Sequence, residues 1–286
     1  GPGREGPVGR DGDRRARHLL PSADSAPGRS PGQAPGGGPA RGPLALELAA
    51  AAAVFVAAFV KGAIGFGFPT VGTPLLALVV DVKTAVPLLV VPNLVMDGLQ
   101  FRRQGPVGDA PRRLLPLLVF TIVGTIIGTK LLVMLSPRAA ALILGVFVLG
   151  YVLLDLVHVT PRIPLGWERR IAPPVGLLAG IMGGITNAPG TALALYFVAL
   201  GMDKREFVRS IALTFLVVKG VQLLTLAWYG LFGWHLVPAT LGLTVVSLGG
   251  FWLGAHLQDR LDQRAYNRAV LVFLAILGVG LVVRAL

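Results

Sequence analysis

The sequence predicts an all-α, polytopic membrane protein, and three observations lead to this fold class. Of the 286 residues, 54% are hydrophobic and only 14% are charged, and the mean hydropathy is +0.73. A soluble domain usually carries about 25% charged residues, so this chain has too few to cover a soluble surface. The apolar residues form blocks of roughly 17–26 residues, the length that a helix needs to cross about 30 Å of hydrocarbon. These blocks are continuous, whereas membrane β-barrels alternate apolar and polar residues.

The first 43 residues differ in composition from the rest of the chain. Gly and Pro account for 19 of them, and they contain almost no apolar run. Such a segment cannot bury enough apolar surface to offset its ordering entropy. We therefore expect a disordered tail over 1–43.

Charges and turn residues divide the remaining chain into apolar blocks, and each block predicts a membrane helix or a helix pair. The blocks cover roughly 44–60, 62–80, 84–101, 114–135, 139–157, 171–200, 207–232, 235–257 and 266–285. A basic loop over 159–170 separates two membrane regions, 44–158 and 171–286. We expect this loop to be cytoplasmic, because Arg and Lys concentrate in the cytoplasmic loops of membrane proteins.

Composition also excludes several kinds of chemistry. The chain has no cysteine, and its four histidines show no metal-binding spacing, so we expect no disulfide and no metal site. The net charge of +12 comes from basic loops, which argues against a nucleic-acid partner. No paired nucleophile and base lie at membrane depth, so we do not expect an enzyme. The expected partners are the lipid bilayer and a small anionic substrate, and a homo-oligomer stays open.

The second membrane region repeats features of the first. KGAIGFGFPTVGTPLLAL (61–78) resembles AGIMGGITNAPGTALAL (179–195), with GT at 72–73 matching GT at 190–191 at an offset of 118. Further on, DGLQ (97–100) matches KGVQ (219–222), and GTIIG (124–128) matches GFWLG (250–254). Ordered matches indicate duplication, which is typical of transporters. We predict two homologous repeats of about four hydrophobic segments each.

Each repeat is predicted to open with a broken or re-entrant helix pair. An apolar stretch runs into a Gly/Pro/Thr break, at 62–74 in the first repeat and at 183–191 in the second. Unpaired backbone groups at membrane depth are tolerated only where they face protein or a water-filled cavity. We expect Asn187 and Thr70 to cap the helices that follow the breaks. Helix N-termini of this kind bind anions, and a glycine-rich packing seam is the alternative.

Loop charges favour the re-entrant arrangement. The segments 102–113, 158–170 and 202–209 carry several Arg or Lys residues, whereas 230–236 carries none. The three basic segments share one side of the membrane if 171–200 enters and returns to the same side. Each repeat then makes three crossings, and the repeats are inverted. A conventional count of eight spans is the alternative.

Ten residues at or near the breaks are candidate substrate ligands. Lys219 lies near the centre of an apolar helix, where ionisable residues are costly and usually functional. Three roles are open for Lys219. It could bind the anion, it could form an ion pair with Asp97, or it could lie near a helix end and extend its ammonium group to the membrane interface. Lys61 would bind the anion or anchor its helix at the interface. Hydroxyl and amide groups suit an oxyanion, although polar residues in apolar helices also bond between helices. The full set is Lys61, Thr70, Thr73, Asn93, Asp97, Thr186, Asn187, Thr191, Lys219 and Gln222.

These motifs also resemble those of a known family. In the first repeat they are KGAIGFGFPTVGTPLLAL, KTAVPLLVVPNLV and FRRQGPV, and in the second they are GLLAGIMGGITNAPGTALAL and GGFWLGAHLQDRLDQR. Together they are similar to the TauE/SafE sulfite exporter family over nearly all of 44–286. The resemblance implies a multi-pass transporter of small, mainly sulfur-containing anions in the bacterial inner membrane, without a bound cofactor.

The residues and the resemblance lead to one functional prediction. We expect a secondary transporter that moves sulfite or an organosulfonate-type oxyanion by alternating access, with the two helix breaks and Lys219 binding the anion near the midplane. An anion channel or a membrane subunit of a larger complex is the alternative.

Overall fold

The computed structural model describes residues 43–103, 110–157, 163–164, 166–257 and 263–286. Over these residues all regular secondary structure is helical, and six helices are long and apolar enough to cross a membrane. The all-helical fold class is therefore confirmed. The predicted tail at 1–43 lies outside the described residues apart from Pro43. The predicted loop at 159–170 is described only at 163–164 and 166–170.

The described part of the chain forms ten α-helices. They are α1 (Pro43–Ile64), α2 (Phe68–Ala77), α3 (Val82–Arg103), α4 (Ala110–Met134), α5 (Pro137–Leu156), α6 (Glu168–Thr186), α7 (Gly190–Ala199), α8 (Lys204–Trp228), α9 (Val237–Leu257) and α10 (Gln263–Ala285), with a short 3-10 helix at Trp234–Leu236. The six candidate spans lie in α1, α3, α4, α5, α8 and α9. Helices α2 and α7 have ten residues each, which is about 15 Å, or half of the hydrocarbon thickness.

Three helices begin where the sequence supplies a side-chain cap. Asp81, Ser136 and Asp203 each accept a hydrogen bond from the backbone amide three residues later, at 3.1, 3.2 and 2.8 Å. These bonds satisfy amides that have no partner within the helix. The turn signals between the apolar blocks therefore fix the starts of α3, α5 and α8.

The first break, between α1 and α2, is built from glycines. Gly65 and Gly67 have φ angles of 94° and 97°, in the left-handed region that glycine adopts without steric cost. Helix α1 continues through Lys61 to Ile64, so the boundary that the apolar blocks placed at Lys61 is wrong. Gly67 holds the N-cap position of α2 without a side-chain bond, and Thr70 lies inside the first turn. The predicted capping by Thr70 is therefore also wrong.

The second break, between α6 and α7, turns at an asparagine. Asn187 has a φ of 67° and forms the C-cap of α6, a position where left-handed asparagine is tolerated. Pro189 holds the N-cap position of α7, which has no side-chain cap. The prediction that Asn187 caps α7 is therefore wrong, because its carbonyl belongs to the C-terminal end of α6.

Helices α6 and α7 form a hairpin whose two ends lie together. The backbone amide of Ile163 donates to the carbonyl of Ala199 at 3.0 Å. The Tyr196 hydroxyl donates to the backbone carbonyl of Glu168, at the start of α6, at 3.3 Å. This is the hairpin that the loop charges favoured for 171–200.

Helices α1 and α2 also run antiparallel. A Cβ on Gly72 would lie 3.1 Å from the Ala57 Cβ, and a Cβ on Gly67 would lie 4.0 Å from Val60. Later residues of α2 thus lie beside earlier residues of α1, as in a hairpin that turns at the glycines.

Arg113 joins the starts of three helices. Its Nε donates to Glu168 Oε1 at 2.7 Å, and its Nη1 donates to Glu206 Oε1 at 2.9 Å. The starts of α4, α6 and α8 therefore lie at one end of the bundle, which we call the Arg113 end. All three side chains are partly exposed, so each pair contributes at most about 1 kcal/mol. The pairs matter here because they establish the direction of the helices.

Close helix contacts are made possible by glycines that face a neighbouring backbone. A Cβ on Gly180 of α6 would overlap the carbonyl oxygen of Thr121 and lie 2.7 Å from the amide nitrogen of Thr125, both in α4. Gly62 of α1 approaches α9 in the same way, and its Cβ would lie 2.8 Å from the amide nitrogen of Ala255. Small residues let membrane helices approach this closely.

Gly180→Ala is expected to destabilise the protein by about 1–3 kcal/mol, because the added methyl group forces α6 away from α4. The measurement is the thermal unfolding midpoint of the purified protein in detergent. Gly220→Ala in α8 is the matched control, because a Cβ there would meet no atom within 4 Å and alanine favours a helix. Equal midpoints for the two variants would contradict the close packing of α6 on α4.

Candidate substrate site

Two lysines and one aspartate are buried inside the bundle of apolar helices. Lys61 and Asp97 each expose 1% of their surface, and Lys219 exposes none. An ionisable group at this depth is costly and normally faces a partner or a water-filled cavity. Three neutral polar side chains are buried with them and bonded to them. We call the set the polar centre: Lys61, Asn93, Asp97, Asn187, Lys219 and Gln222.

Lys61 forms an ion pair with Asp97. Its Nζ lies 2.5 Å from Asp97 Oδ1 and 3.4 Å from Asn93 Oδ1, so α1 is joined to two successive turns of α3. Because Lys61 is fully buried, the interpretation of this residue as an interfacial anchor is wrong. Lys219 bonds to Asn187 and Gln222 instead, so the alternative of a Lys219–Asp97 pair is not formed in this structure.

Lys219 is bonded only to uncharged acceptors. Its Nζ donates to the backbone oxygen of Asn187 at 2.8 Å, to the Asn187 side-chain oxygen, and to Gln222 Oε1 at 2.8 Å. The Gln222 amide donates in turn to the backbone oxygen of Gly183 at 3.1 Å. The ammonium group therefore lies against the C-terminal end of α6, where the helix dipole favours a cation.

Phe215 lies close to both Lys61 and the start of α7. The Lys61 Nζ is 5.5 Å from the centroid of the Phe215 ring, and a Cβ on Gly190, at the start of α7, would lie 3.3 Å from the far end of the same ring. Lys219 acts electrostatically on both Lys61 and Asp97. The polar centre is therefore a single electrostatic unit that reaches both helix breaks.

Several buried polar atoms have no hydrogen-bond partner among the residues that the structure describes. They include the side-chain amide nitrogens of Asn93 and Asn187, the Thr73 hydroxyl and Asp97 Oδ2. Buried polar groups without a partner are rare in folded proteins, and each costs about 1–3 kcal/mol. The amide groups of Asn93 and Asn187 can donate a hydrogen bond, so the centre has spare donors from α3 and the second break, and Thr73 in α2 is a further buried donor.

The charges of the polar centre do not cancel. With both lysines protonated and Asp97 ionised, the centre holds two positive charges and one negative charge, which leaves an excess of one positive charge. A buried, uncompensated charge is strongly unfavourable unless a counter-ion reaches it. The excess charge and the spare N–H groups together favour an anion with oxygen acceptors.

The remaining predicted ligands are threonines, and they differ in how available their hydroxyl groups are to a substrate. Thr70 is buried in the first turn of α2. Thr186 donates to the backbone oxygen of Met182 at 2.7 Å and accepts from the amide of Ala188 at 3.3 Å, so its hydroxyl serves the end of α6. Thr191 lies in the first turn of α7, and its side chain is outside the description.

Sequence reasoning missed Phe215, although the spacing contained a signal. Phe215, Lys219 and Gln222 are separated by four and three residues, which places them on one face of α8. A polar pattern alone does not select an aromatic residue, because a phenylalanine in an apolar helix is ordinarily lipid-facing or core. Phe215 is 1% exposed, and the Lys61 ammonium group 5.5 Å from the centroid of its ring distinguishes it.

Helices long enough to span a bilayer, together with a closed polar interior, define an integral membrane protein with several crossings. Residues 50–281 match the family model described as sulfite exporter TauE/SafE. The chain therefore belongs to the TauE/SafE family of membrane transporters, and it is a multi-pass membrane protein. No curated protein and no solved structure matches the chain.

Proposed function

We propose that the chain is a secondary transporter, without enzymatic activity, that moves sulfite or an organosulfonate-type oxyanion by alternating access. The observation that carries this proposal is the full burial of two lysines, Lys61 and Lys219, with a single aspartate, Asp97. Family membership supports the transporter class, and the chemistry of the polar centre supports the oxyanion.

An oxyanion fits the donors of the polar centre. Sulfite and sulfonate groups present three oxygens around one centre, and each oxygen accepts hydrogen bonds in several directions. The free amide groups of Asn93 and Asn187 and the Thr73 hydroxyl are donors without partners. Lys219 can exchange one amide acceptor for a charged oxygen, which makes a stronger hydrogen bond.

Two inverted repeats are part of the proposal, and the helix bounds support them. The end of α1 at Ile64 and the end of α6 at Thr186 are 122 residues apart, as are the starts of α2 and α7 and the starts of α3 and α8. Equivalent helix ends in the two repeats are thus offset by 122 residues, whereas the sequence match at the breaks gave an offset of 118. Packing is reciprocal as well: α1 packs on α9 and α6 on α4, while α3 packs on α8 and α5 on α10.

The directions of the two hairpins support the inversion. Helix α6 starts at the Arg113 end. Helix α1 runs parallel to α9, because Gly62 faces Ala255 and Ala58 faces Gly250. Helix α9 follows α8 and so starts at the opposite end of the bundle, as α1 then does. Hairpins that enter from opposite ends suit a carrier that opens to either side in turn.

The Arg113 end of the bundle is proposed to face the cytoplasm, following the distribution of Arg and Lys. A cleft of about 390 Å³ at this end is lined by Asp203, Arg205, Glu206 and Arg209. The polar centre itself is buried, so this conformation corresponds to a closed carrier. Opening toward the cytoplasm would separate the exposed pairs of Arg113, each worth at most about 1 kcal/mol.

The test is flux into proteoliposomes that contain the purified protein. Labelled sulfite, sulfoacetate and methanesulfonate are compared with chloride and with empty liposomes. A carrier is expected to transport at least one sulfur oxyanion with saturation, and to accelerate labelled uptake when unlabelled anion is inside. Absence of flux for all probes would overturn the proposal. Non-saturating flux without this exchange would favour the alternative of a channel.

A further inference from the structure

Asp97 is the feature of the polar centre that anion binding alone leaves unexplained. One carboxylate oxygen accepts from Lys61 at 2.5 Å, whereas Oδ2 is buried and has no partner. An ionised carboxylate has about four acceptor sites, and leaving a charged oxygen unpaired at this depth is costly. A proton on Oδ2 would remove this cost.

We infer that Asp97 is a proton-binding site through which the carrier moves one proton together with each monovalent anion. This inference rests on the proposed function. In the first step, Oδ2 takes a proton from the side to which the centre is open, and the carboxylate becomes a neutral carboxylic acid. Lys61 then keeps only a hydrogen bond to Asp97, and its charge becomes available to the anion. After the centre opens to the other side, the anion leaves and the proton returns to water, which restores the Lys61–Asp97 ion pair.

The sign of the coupling follows from the charges. Protonation of Asp97 raises the excess charge of the centre from one positive charge to two, so it strengthens anion binding. By linkage, the bound anion strengthens proton binding by the same factor. Proton and anion therefore travel in the same direction, and one proton with one monovalent anion carries no net charge.

The groups that face Asp97 are consistent with this role. Lys61 on α1 and Lys219 on α8 are the two charges that act on it. Helix α2 has no ionisable residue, and the single ionisable residue of α9, His256, is exposed and bonded within its own helix to Trp252. Helix α5 carries Arg138 in its first turn, which is exposed, and Tyr151 and Asp155 in its last two turns.

Asp97 also differs from the other carboxylates of the described chain. Asp81 and Asp203 cap helices near the ends of the bundle, and Glu168 and Glu206 form partly exposed pairs with Arg113. Glu47 is exposed in the first turns of α1. Of the acidic side chains that the structure describes, Asp97 alone combines full burial with an unpaired oxygen.

The experiment uses the full chain in proteoliposomes, with labelled methanesulfonate as the monovalent probe and a pH-sensitive dye inside. Methanesulfonate is the anion of a strong acid and keeps one charge across the pH range, so a pH effect on its flux belongs to the protein. Flux is measured with an acidic outside and with equal pH, and the ratio of the two is the readout. This ratio does not depend on how much protein is active. A potassium gradient with valinomycin imposes a membrane potential as a separate condition.

The wild type is expected to accumulate anion several-fold above the equal-pH level, to acidify the interior, and to be insensitive to the imposed potential. Asp97→Asn is expected to give a ratio of one, because a side-chain amide does not take up and release a proton in this pH range. Asp81→Asn is the matched control and is expected to keep the wild-type ratio. The inference is overturned if wild-type flux occurs without internal acidification, or if Asp97→Asn keeps the ratio. Absence of all wild-type flux instead overturns the proposed function.

Discussion

Lys219→Met is expected to reduce oxyanion flux about 100-fold or more. Methionine preserves much of the volume of the side chain but removes the charge, so the polar centre falls from an excess of one positive charge to none. Loss of a buried charge-assisted interaction costs about 3 kcal/mol, and each 1.4 kcal/mol corresponds to a factor of ten in binding. The measurement is initial uptake of labelled sulfite or methanesulfonate into proteoliposomes, normalised to folded protein.

Two further variants separate charge from structure in this test. Lys130→Met makes the same substitution at an exposed position of α4 and is expected to keep wild-type flux. Lys219→Arg keeps the charge and is expected to retain more flux than Lys219→Met, even if the larger head group disturbs its bonds to Asn187. If Lys219→Met is folded and transports as the wild type does, Lys219 does not bind the substrate.

Much of the fold could be predicted, because long apolar helices are specified locally. The block at 114–135 corresponds to α4, and the block at 139–157 corresponds to α5, with bounds that differ by a few residues. Gly and Pro predicted the positions of both breaks. The directions of the chain at the breaks could not be predicted in the same way, because they depend on single left-handed residues such as Gly65 and Asn187.

The candidate site could be predicted only as a set of residues. Burial cost identified Lys219 without any knowledge of its neighbours. Pairing was harder, because Lys61 and Asp97 are 36 residues apart and meet only through a side-chain contact between α1 and α3 in the folded structure. Repeat matching suggested Lys219 as the partner of Asp97, although equivalent positions in two repeats need not touch. The caps assigned to Thr70 and Asn187 failed because backbone conformation at the breaks decides which residue begins a helix.

Asp97→Leu is expected to destabilise the protein by about 3–5 kcal/mol, because it leaves the Lys61 ammonium buried without a counter-charge. The double variant Lys61→Met/Asp97→Leu removes both charges and fills the space with apolar atoms. Replacing a buried pair in this way is often neutral or stabilising, so the double variant is expected to regain most of the lost stability. The measurement is thermal or denaturant unfolding in detergent, analysed as a double-mutant cycle.

The cycle also separates the ion pair from the rest of the polar centre. Lys61→Met alone leaves Asp97 unpaired beside Lys219, whose charge partly compensates it, so this variant is expected to lose less stability than Asp97→Leu. The coupling energy should be large, because the two side chains share one buried contact. If the losses of the two single variants simply add in the double variant, Lys61 and Asp97 do not form the pair that holds α1 against α3. In that case the excess charge of the polar centre has to be recalculated without a Lys61–Asp97 ion pair.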